Sequence, residues 1–414
     1  MRIAIIGAGI SGLTAAYLLY RDFDITVFEA NDYIGGHTHT IAVSKPDAQY
    51  AVDTGFIVFN ETTYPNFCNL LKRLNVPSQP TQMTFSVKCE QTGLEWSPHN
   101  FNSIFATRRT LLQPGHWRML LDIARFRNRF KNLLDSSHDQ EPLVEYLRRN
   151  GFSERFITYF IVPMGASLWS ADPQLFDKFP LGTFVRFFYN HGIFEMRHPL
   201  QWRVITGGSA RYVEKLIAPF ADRIRTGCPV QKVRREAGAV EVLCKNGSAE
   251  RFDQVIMAAH SDQVLAMLEN PNSLEREILE AIPYQENLVM LHTDRSILPM
   301  RSWLWSSWNY LISQREQRLA TVTYDMNILQ GITSPHEFCV TLNKPDGIAP
   351  DAVIGKYLYH HPIYTTAAPA AQKRHAEVSG TDRIHYCGAY WGYGFHEDGV
   401  RSALAVCKKF GKEL

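Results

Sequence analysis

The chain has 414 residues, 45% hydrophobic and 12% aromatic, with seven cysteines and a formal net charge of +2. That length suggests two domains or one large interleaved body, and the near balance of charge argues against broad nucleic-acid binding. The cysteines, at 68, 89, 228, 244, 339, 387 and 407, form no CxxC pair and are odd in number. A disulfide framework and a metal site are therefore not expected, and reduced thiols in a cytoplasmic protein are.

The first segment, MRIAIIGAGISGLTAAYLLY, has the apolar run of a signal peptide or an anchor. Its glycines point elsewhere. Ile3 to Ile6 reads as a short β-branched strand, Leu13 to Tyr20 as a helix, and Ile25 to Phe28 as a second strand. Between the first two lies Gly7-Ala8-Gly9-Ile10-Ser11-Gly12, a G-x-G-x-x-G in its required strand–turn–helix context. Gly7 permits the turn, Gly9 lets a pyrophosphate approach the backbone, and Gly12 allows close helix–strand packing. Ser11 sits at the helix start, where free N–H groups favour an anion. Glu29, 22 residues after Gly7 and followed by Ala30, is placed to accept from an adenosine ribose and to repel a 2′-phosphate. No other stretch is long and apolar enough to span a bilayer.

Beyond Glu29 the chain reads NDYIGGHTHT and then VDTGFIVFN, giving Gly35, Gly36 and Thr40, and Asp53 with Gly55 as a D-x-G. Here it resembles the flavin amine oxidase superfamily, which includes monoamine oxidases, protoporphyrinogen oxidases and carotenoid desaturases. The resemblance implies FAD and an α/β fold, a Rossmann-like FAD-binding domain with an interleaved α+β substrate domain. A second backbone loop (Gly36, His37, Thr38) would lie against the diphosphate, and Gly55 and Phe56 would pass beside the isoalloxazine. His37 departs from the family's arginine, leaving backbone donors of His37 and Thr38 for the phosphates. By the same resemblance, 1–60, 206–264 and 381–414 form the FAD-binding domain, and 61–205 with 265–380 the substrate domain.

Further along, from 116 to 134, Trp117, Leu120, Leu121, Ala124 and Phe130 fall near helical spacing among Arg118, Arg125, Arg127, Arg129 and Lys131. This is either a solvated basic face or a peripheral contact with the inner face of a membrane. The segment 162–194, with Phe184, Phe187, Phe188 and Tyr189, is aromatic enough to be core or the wall of an apolar ligand site. Gly207-Gly208 precedes a helical run and resembles the family's return loop to the cofactor domain. The segment 239–260 alternates around a turn at Asn246-Gly247 and ends in an apolar strand. By resemblance, Pro229, Val230 and Gln231 before it pass near the adenine.

The last stretch, YCGAYWGYGFHEDGVRSALAV at 386–406, reads as strand, glycine turn, loop and helix. In the resembled superfamily that helix start meets the pyrimidine edge of the flavin, where its dipole stabilises negative charge. This assigns Gly388, Gly399 and Val400 to the cofactor, with Gly399 bare so that backbone can touch a flat ring. Ala389 stands where relatives carry an acid, so Glu397 and Asp398 are candidate substitutes. His396 aligns with a cage position of the amine oxidases, and His360 or His361 in KYLYHHPIY is a candidate for the opposite side. With Tyr390 and Tyr310, His396 and His361 are the candidates to position substrate or move a proton. Segments such as TYDMNILQGI and GFHEDGVRSAL resemble a bacterial group of NAD/FAD-binding proteins, some associated with modification of membrane fatty acids.

The expected activity is an FAD-dependent oxidoreductase taking a hydride at flavin N5 from an apolar substrate such as a lipid acyl chain, with an unassigned electron acceptor. Two alternatives stand beside it. One is amine oxidation; the other is a non-redox flavoprotein such as a sugar mutase, for which Arg186, Arg197 and Arg203 would supply diphosphate contacts.

Overall fold

The computed structural model describes residues 1–134, 141–169, 172–193, 200–314 and 319–414. At its centre is the strand Arg2–Ile6, whose Ile3, Ala4, Ile5 and Ile6 are all buried, the mark of a strand covered on both faces. It belongs to a five-stranded parallel sheet of order Ile224–Arg225, Asp24–Phe28, Arg2–Ile6, Gln254–Met257, Ile384–Tyr386. The chain leaves Arg2–Ile6 to one side for Asp24–Phe28 and later joins it on the other side as Gln254–Met257. Such a reversal opens a crevice at the carboxyl ends of the strands, where ligands of this architecture sit. Strands from three distant stretches, 1–28, 224–257 and 384–386, thus share one sheet. The helices Ile10–Leu19 and His396–Lys408, the first and last long ones, pack against each other beside it.

A second sheet of seven strands has the order Val353–Pro362, Tyr284–His292, Cys339–Leu342, Thr321–Asp325, Trp308–Ile312, Phe85–Cys89, Leu94–Trp96. It is antiparallel except where Trp308–Ile312 runs parallel to Phe85–Cys89. A group of helices between 114 and 190 joins it in one aromatic core, with Phe126, Phe156, Phe184 and Phe188 buried. The anticipated ambiguity over 184–189 resolves residue by residue. Phe184 and Phe188 stack in the core with ring centroids 4.0 Å apart, Phe187 also faces the central cavity, and Tyr189 is exposed.

The basic helix spans Pro114–Arg129 and continues as a 3-10 turn over Phe130–Leu133. Its core-facing residues are His116, Met119, Asp122 and Phe126, not the Trp117/Leu121 stripe. Phe130 is core as well, which corrects its place on the expected surface face. All seven cysteines are free. Among the described residues, no helix is long and apolar enough to cross a membrane.

Candidate active site

The crevice beside Arg2–Ile6 opens into a cavity of about 1560 Å³ that continues into the space between the two sheets. That exceeds the roughly 300–1,000 Å³ of an ordinary small-molecule site, leaving room for a dinucleotide and a second molecule. Its wall holds Gly7, Gly9, Ser11, Glu29, Ala30, Gly36, His37, Gly55, Phe56, Val230 and Gly388, together with His361, Tyr390 and His396. Gly12, Thr38, Gly399, Val400 and Tyr310 lie outside that wall.

The three glycines of the first turn differ in what surrounds them. A Cβ on Gly7 would lie 2.8 Å from the carbonyl of Ala258, and one on Gly12 would lie 1.9 Å from the carbonyl of Gly7. A Cβ on Gly9 would meet nothing within 4 Å. Gly7 and Gly12 are therefore bare for protein packing, whereas Gly9 is bare toward the cavity, at the N-terminus of a ten-residue helix. The Gly35-Gly36 loop lies directly on this turn. Gly35 bridges Gly9, and a Cβ on Gly36 would come 3.1 Å from the Gly9 Cα.

Glu29 directly follows the strand Asp24–Phe28, buried, and accepts from the Ala8 N–H at 2.8 Å through one oxygen and the Asn31 N–H at 2.9 Å through the other. Each carboxylate oxygen keeps a further lone-pair direction for a hydroxyl donor. Cys228, Pro229, Val230 and Gln231 form the neighbouring wall.

Asp53 is wholly buried and accepts from the Thr40 hydroxyl and from both the backbone N–H and the hydroxyl of Ser209, at 2.5 to 2.9 Å. It thereby ties the Gly207-Gly208 loop to the hairpin of 40–53, and burial pushes its carboxyl up to about 6. Gly55 follows because a Cβ there would sit 2.2 Å from the His37 carbonyl.

Histidines line the middle of the cavity. His37 faces His361, His260 and Tyr359, with ring centroids 5.2, 6.1 and 5.4 Å away. Burial drives its imidazole down to about 4, and its Nε2 is buried with no protein partner. The Tyr390 hydroxyl is likewise buried without one. Two orphaned polar atoms in the wall of one cavity are what a bound polar molecule would satisfy.

His396 is differently placed from what its position in the sequence implies. Its ring stacks on Phe56 at 3.4 Å, and its Nε2 lies 3.0 Å from the Thr38 hydroxyl and 3.1 Å from the Tyr212 hydroxyl, themselves 2.6 Å apart. Burial holds this imidazole neutral, well below its ordinary range. Its ring nitrogen is thus occupied in joining the last helix to the Gly35–Thr38 loop, and only the ring contributes to the cavity wall. Thr38 serves the same junction and does not face the cavity.

His361, at the end of Val353–Pro362, has its orientation set by two asparagines that the sequence reading did not single out. Asn343 accepts from the Leu288 N–H at 3.0 Å and donates to the Ala320 carbonyl at 3.1 Å, so backbone fixes which end of its amide is which. It then donates to the Asn287 carbonyl oxygen at 2.7 Å, which leaves the Asn287 amide nitrogen to donate to His361 Nδ1 at 2.9 Å. His361 is therefore the neutral tautomer with its proton on Nε2. The cue was present in YQENLVMLH: a fully buried Asn287 at the start of a buried run that continues through Val289, Met290 and Leu291.

Other expectations are corrected. A Cβ on Gly399 would meet Ile10 at 2.7 Å and Ser11 at 3.0 Å, so this glycine lets the last helix approach the first and is not bare for a ring. Val400 is fully buried in the core beside it. Tyr310 is buried in the core of the large sheet, away from the cavity wall. Neither acid of the tail replaces the one missing at Ala389. Glu397 accepts from the Asn66 and Phe67 N–H groups, at 3.2 and 3.0 Å, and so caps the helix Pro65–Arg73. Asp398 accepts from Tyr393 and Phe395 N–H and pairs with Arg401 at 2.7 Å. Arg203 is held by Ser78 and by Glu61 at 3.6 Å, which removes it from a diphosphate cluster; Arg197 lies outside the described residues.

A five-stranded parallel sheet, two interlocked glycine loops, a buried acid just after the second strand and a cavity running into a second sheet define a flavoprotein fold. Residues 10–325 match the family described as flavin containing amine oxidoreductase, and the chain belongs to that family, with FAD as its cofactor. Among curated relatives, protoporphyrinogen oxidase 2 of Arabidopsis thaliana is 28% identical over 177 residues, 42% of this chain and 33% of that protein. A lysine-specific histone demethylase 1B homolog of Caenorhabditis elegans is 28% identical over 295 residues, 62% of this chain and 31% of its own length. The chain thus spans about a third of the length of these relatives. Two solved structures match almost end to end. A CLA-producing fatty acid isomerase from P. acnes has a TM-score of 0.69 at 16% identity over 99% of this chain and 98% of its own. Cyclohexylamine oxidase from Brevibacterium oxydans IH-35A has 0.68 at 16%, over 99% of each chain. At such identity the likeness is one of fold.

Proposed function

We propose that the chain is an FAD-dependent oxidoreductase acting on an apolar substrate, a lipid acyl chain, which it dehydrogenates. When bound, FAD supplies a two-electron hydride acceptor, so a saturated CH–CH pair becomes a double bond while the second hydrogen leaves as a proton and an external acceptor reoxidises the flavin. In this reading Gly9, Ser11, Glu29, Gly36 and Val230 hold the cofactor. His361 presents a fixed Nε2–H, and His37 an unpaired Nε2, to what lies between them.

The observation that carries the reading is the far limb of the cavity. Past the histidines its wall is made of side chains such as Met83, Phe85, Phe160, Met164, Leu168 and Phe187. Long flexible methionines and aromatic faces suit a long aliphatic ligand. Among the described residues Glu29, at the adenosine end, is the one carboxylate in the wall, so the limb offers no counter-ion to an ammonium group. Arg127 and His99, exposed where the limb reaches the surface, suit an acyl carboxylate.

The test is anaerobic bleaching of the FAD absorbance. Detergent-dispersed fatty acids or phospholipids should reduce the flavin, with a product two mass units lighter, and alkylamines should not. Bleaching by amines alone would overturn the reading.

A further inference from the structure

Ten large apolar side chains are exposed among the described residues, and five of them fall within 21 consecutive positions. They are Phe101, Leu111, Leu112, Trp117 and Leu121, with exposures of 65, 38, 89, 43 and 66%. They are also neighbours in space. The Phe105 ring lies 4.9 Å from Phe101 and 4.8 Å from Trp117, and the Trp117 indole donates to the Leu111 carbonyl at 2.9 Å. Leu121 stands one helical turn beyond Trp117. Isolated exposed apolar residues are ordinary; a contiguous group of this size marks a surface that meets something.

The charge around it says what. Residues 97–134 contain seven cations, Arg108, Arg109, Arg118, Arg125, Arg127, Arg129 and Lys131, and one acid, Asp122, which is buried. The segment carries +6 in a chain whose total is +2, so the remainder is net negative by four. An apolar ridge within a basic field is the pattern of a protein that inserts side chains among lipids while its cations meet anionic headgroups.

The helix Pro114–Arg129 also connects this surface to the cavity. At 100° per residue its faces separate cleanly. Met119, Asp122 and Phe126 face the core; Arg118, Arg125 and Arg129 follow; Trp117, Leu121 and Ala124 come next; then Ile123 and Arg127, which line the cavity limb. The exposed apolar stripe thus lies between the arginines and the limb's opening.

We propose that this face docks on an anionic phospholipid surface, with Phe101, Leu112, Trp117 and Leu121 inserted, and sets the cavity's opening at the bilayer so that an acyl chain enters without crossing water. The entry role rests on the acyl-chain reading above; the docking does not. The test is co-sedimentation of the FAD-loaded protein with vesicles of pure phosphatidylcholine and of phosphatidylcholine with phosphatidylglycerol. Partition should be at least tenfold stronger on the anionic vesicles and should fall with added salt. Leu112→Ser with Leu121→Ser, both at exposed positions, should lose about tenfold of it while keeping FAD content and melting temperature, and Arg108→Gln with Lys131→Gln should weaken it on anionic vesicles alone. Equal binding to both vesicles, no binding, or self-association abolished by the same leucine variants would overturn the proposal. Bleaching by dispersed fatty acid without vesicle binding would sink the docking alone. Docking without bleaching by any acyl lipid would sink the substrate reading alone.

Discussion

Gly9→Ala and Gly12→Ala should separate cofactor contact from protein packing, although both change one glycine of the same hexapeptide. Gly9 has φ −79° and ψ −178°, a conformation alanine adopts freely, and its added Cβ meets no protein atom within 4 Å. The FAD-free variant should therefore stay within about 1 kcal/mol of the parent, the reduced entropy of its unfolded chain offsetting alanine's poorer capping of the helix that Gly9 precedes. The methyl group does intrude where a pyrophosphate must meet backbone N–H groups. Losing one charge-assisted hydrogen bond costs about 1.5–3 kcal/mol, so FAD affinity should fall about tenfold to a hundredfold. Gly12→Ala is the reverse case. Its Cβ would sit 1.9 Å from the Gly7 carbonyl oxygen, an overlap that main chain must move by more than an ångström to relieve. The ~1 kcal/mol of helix propensity gained is outweighed by overpacking of about 1–3 kcal/mol or more against rigid backbone. The FAD-free melting temperature should fall. Thermal melts of flavin-stripped protein, beside fluorescence-quench titrations with FAD, read both quantities. The reasoning is refuted if Gly9→Ala lowers the FAD-free melting temperature as much as Gly12→Ala, or binds FAD like the parent.

Three other expectations follow from the same geometry. Asn287→Asp replaces the donor at His361 Nδ1 with an acceptor, so the imidazole must gain a proton there and its affinity for protons rises. The rate of flavin reduction should then acquire an ionisation between pH 5 and 8 that the parent lacks, and a profile identical to the parent's would refute the tautomer assignment. Acid should destabilise the fold. Burial holds His37, His191, His292 and His385 near 4 and His260 near 3, with His361 and His396 also well below their ordinary value. The unfolded chain protonates these groups first, so the stability they confer is complete above about pH 6.5 and is lost as pH falls toward 4. Asp53 and Asp398, raised to about 6, and Asp325, raised to about 8, act in the opposite sense but are fewer. A urea midpoint at pH 5 equal to or above that at pH 7 would contradict this. Finally, Met164→Trp should fill part of the apolar limb and shorten the longest acyl chain that bleaches the flavin; unchanged chain-length preference would place the substrate elsewhere.

What the sequence disclosed, and what it did not, depends on how far each residue's reason lies from it along the chain. Gly7, Gly9 and Gly12 are readable because the strand, turn and helix that give them meaning occupy 18 consecutive positions. Gly399 reads as a ring contact because the side chains that need its bareness, Ile10 and Ser11, lie nearly four hundred residues away. His361 was visible as a histidine, but its protonation is decided by Asn287 and Asn343, each on or beside a different strand of the large sheet. Tyr310 reads as available because a strand's alternation tells which face a residue is on but not how far along it a cavity reaches: Trp308, two residues earlier on the same face, lines the cavity, and Tyr310 lies beyond its end, packed in the core. The tail shows the same distinction within a few residues. A Cβ on Gly392 would fall 2.1 Å from the Asp398 carboxylate, which is there because it holds the Tyr393 and Phe395 N–H groups. The glycine and the acid are therefore one device. The loop that presents Tyr393, Gly394 and Phe395 to the cavity is folded onto its own helix start by that carboxylate, and the glycine exists to let the carboxylate in. An acid read as a cofactor ligand from its place in a motif is here the clamp that shapes the motif, a role that only the closed loop reveals.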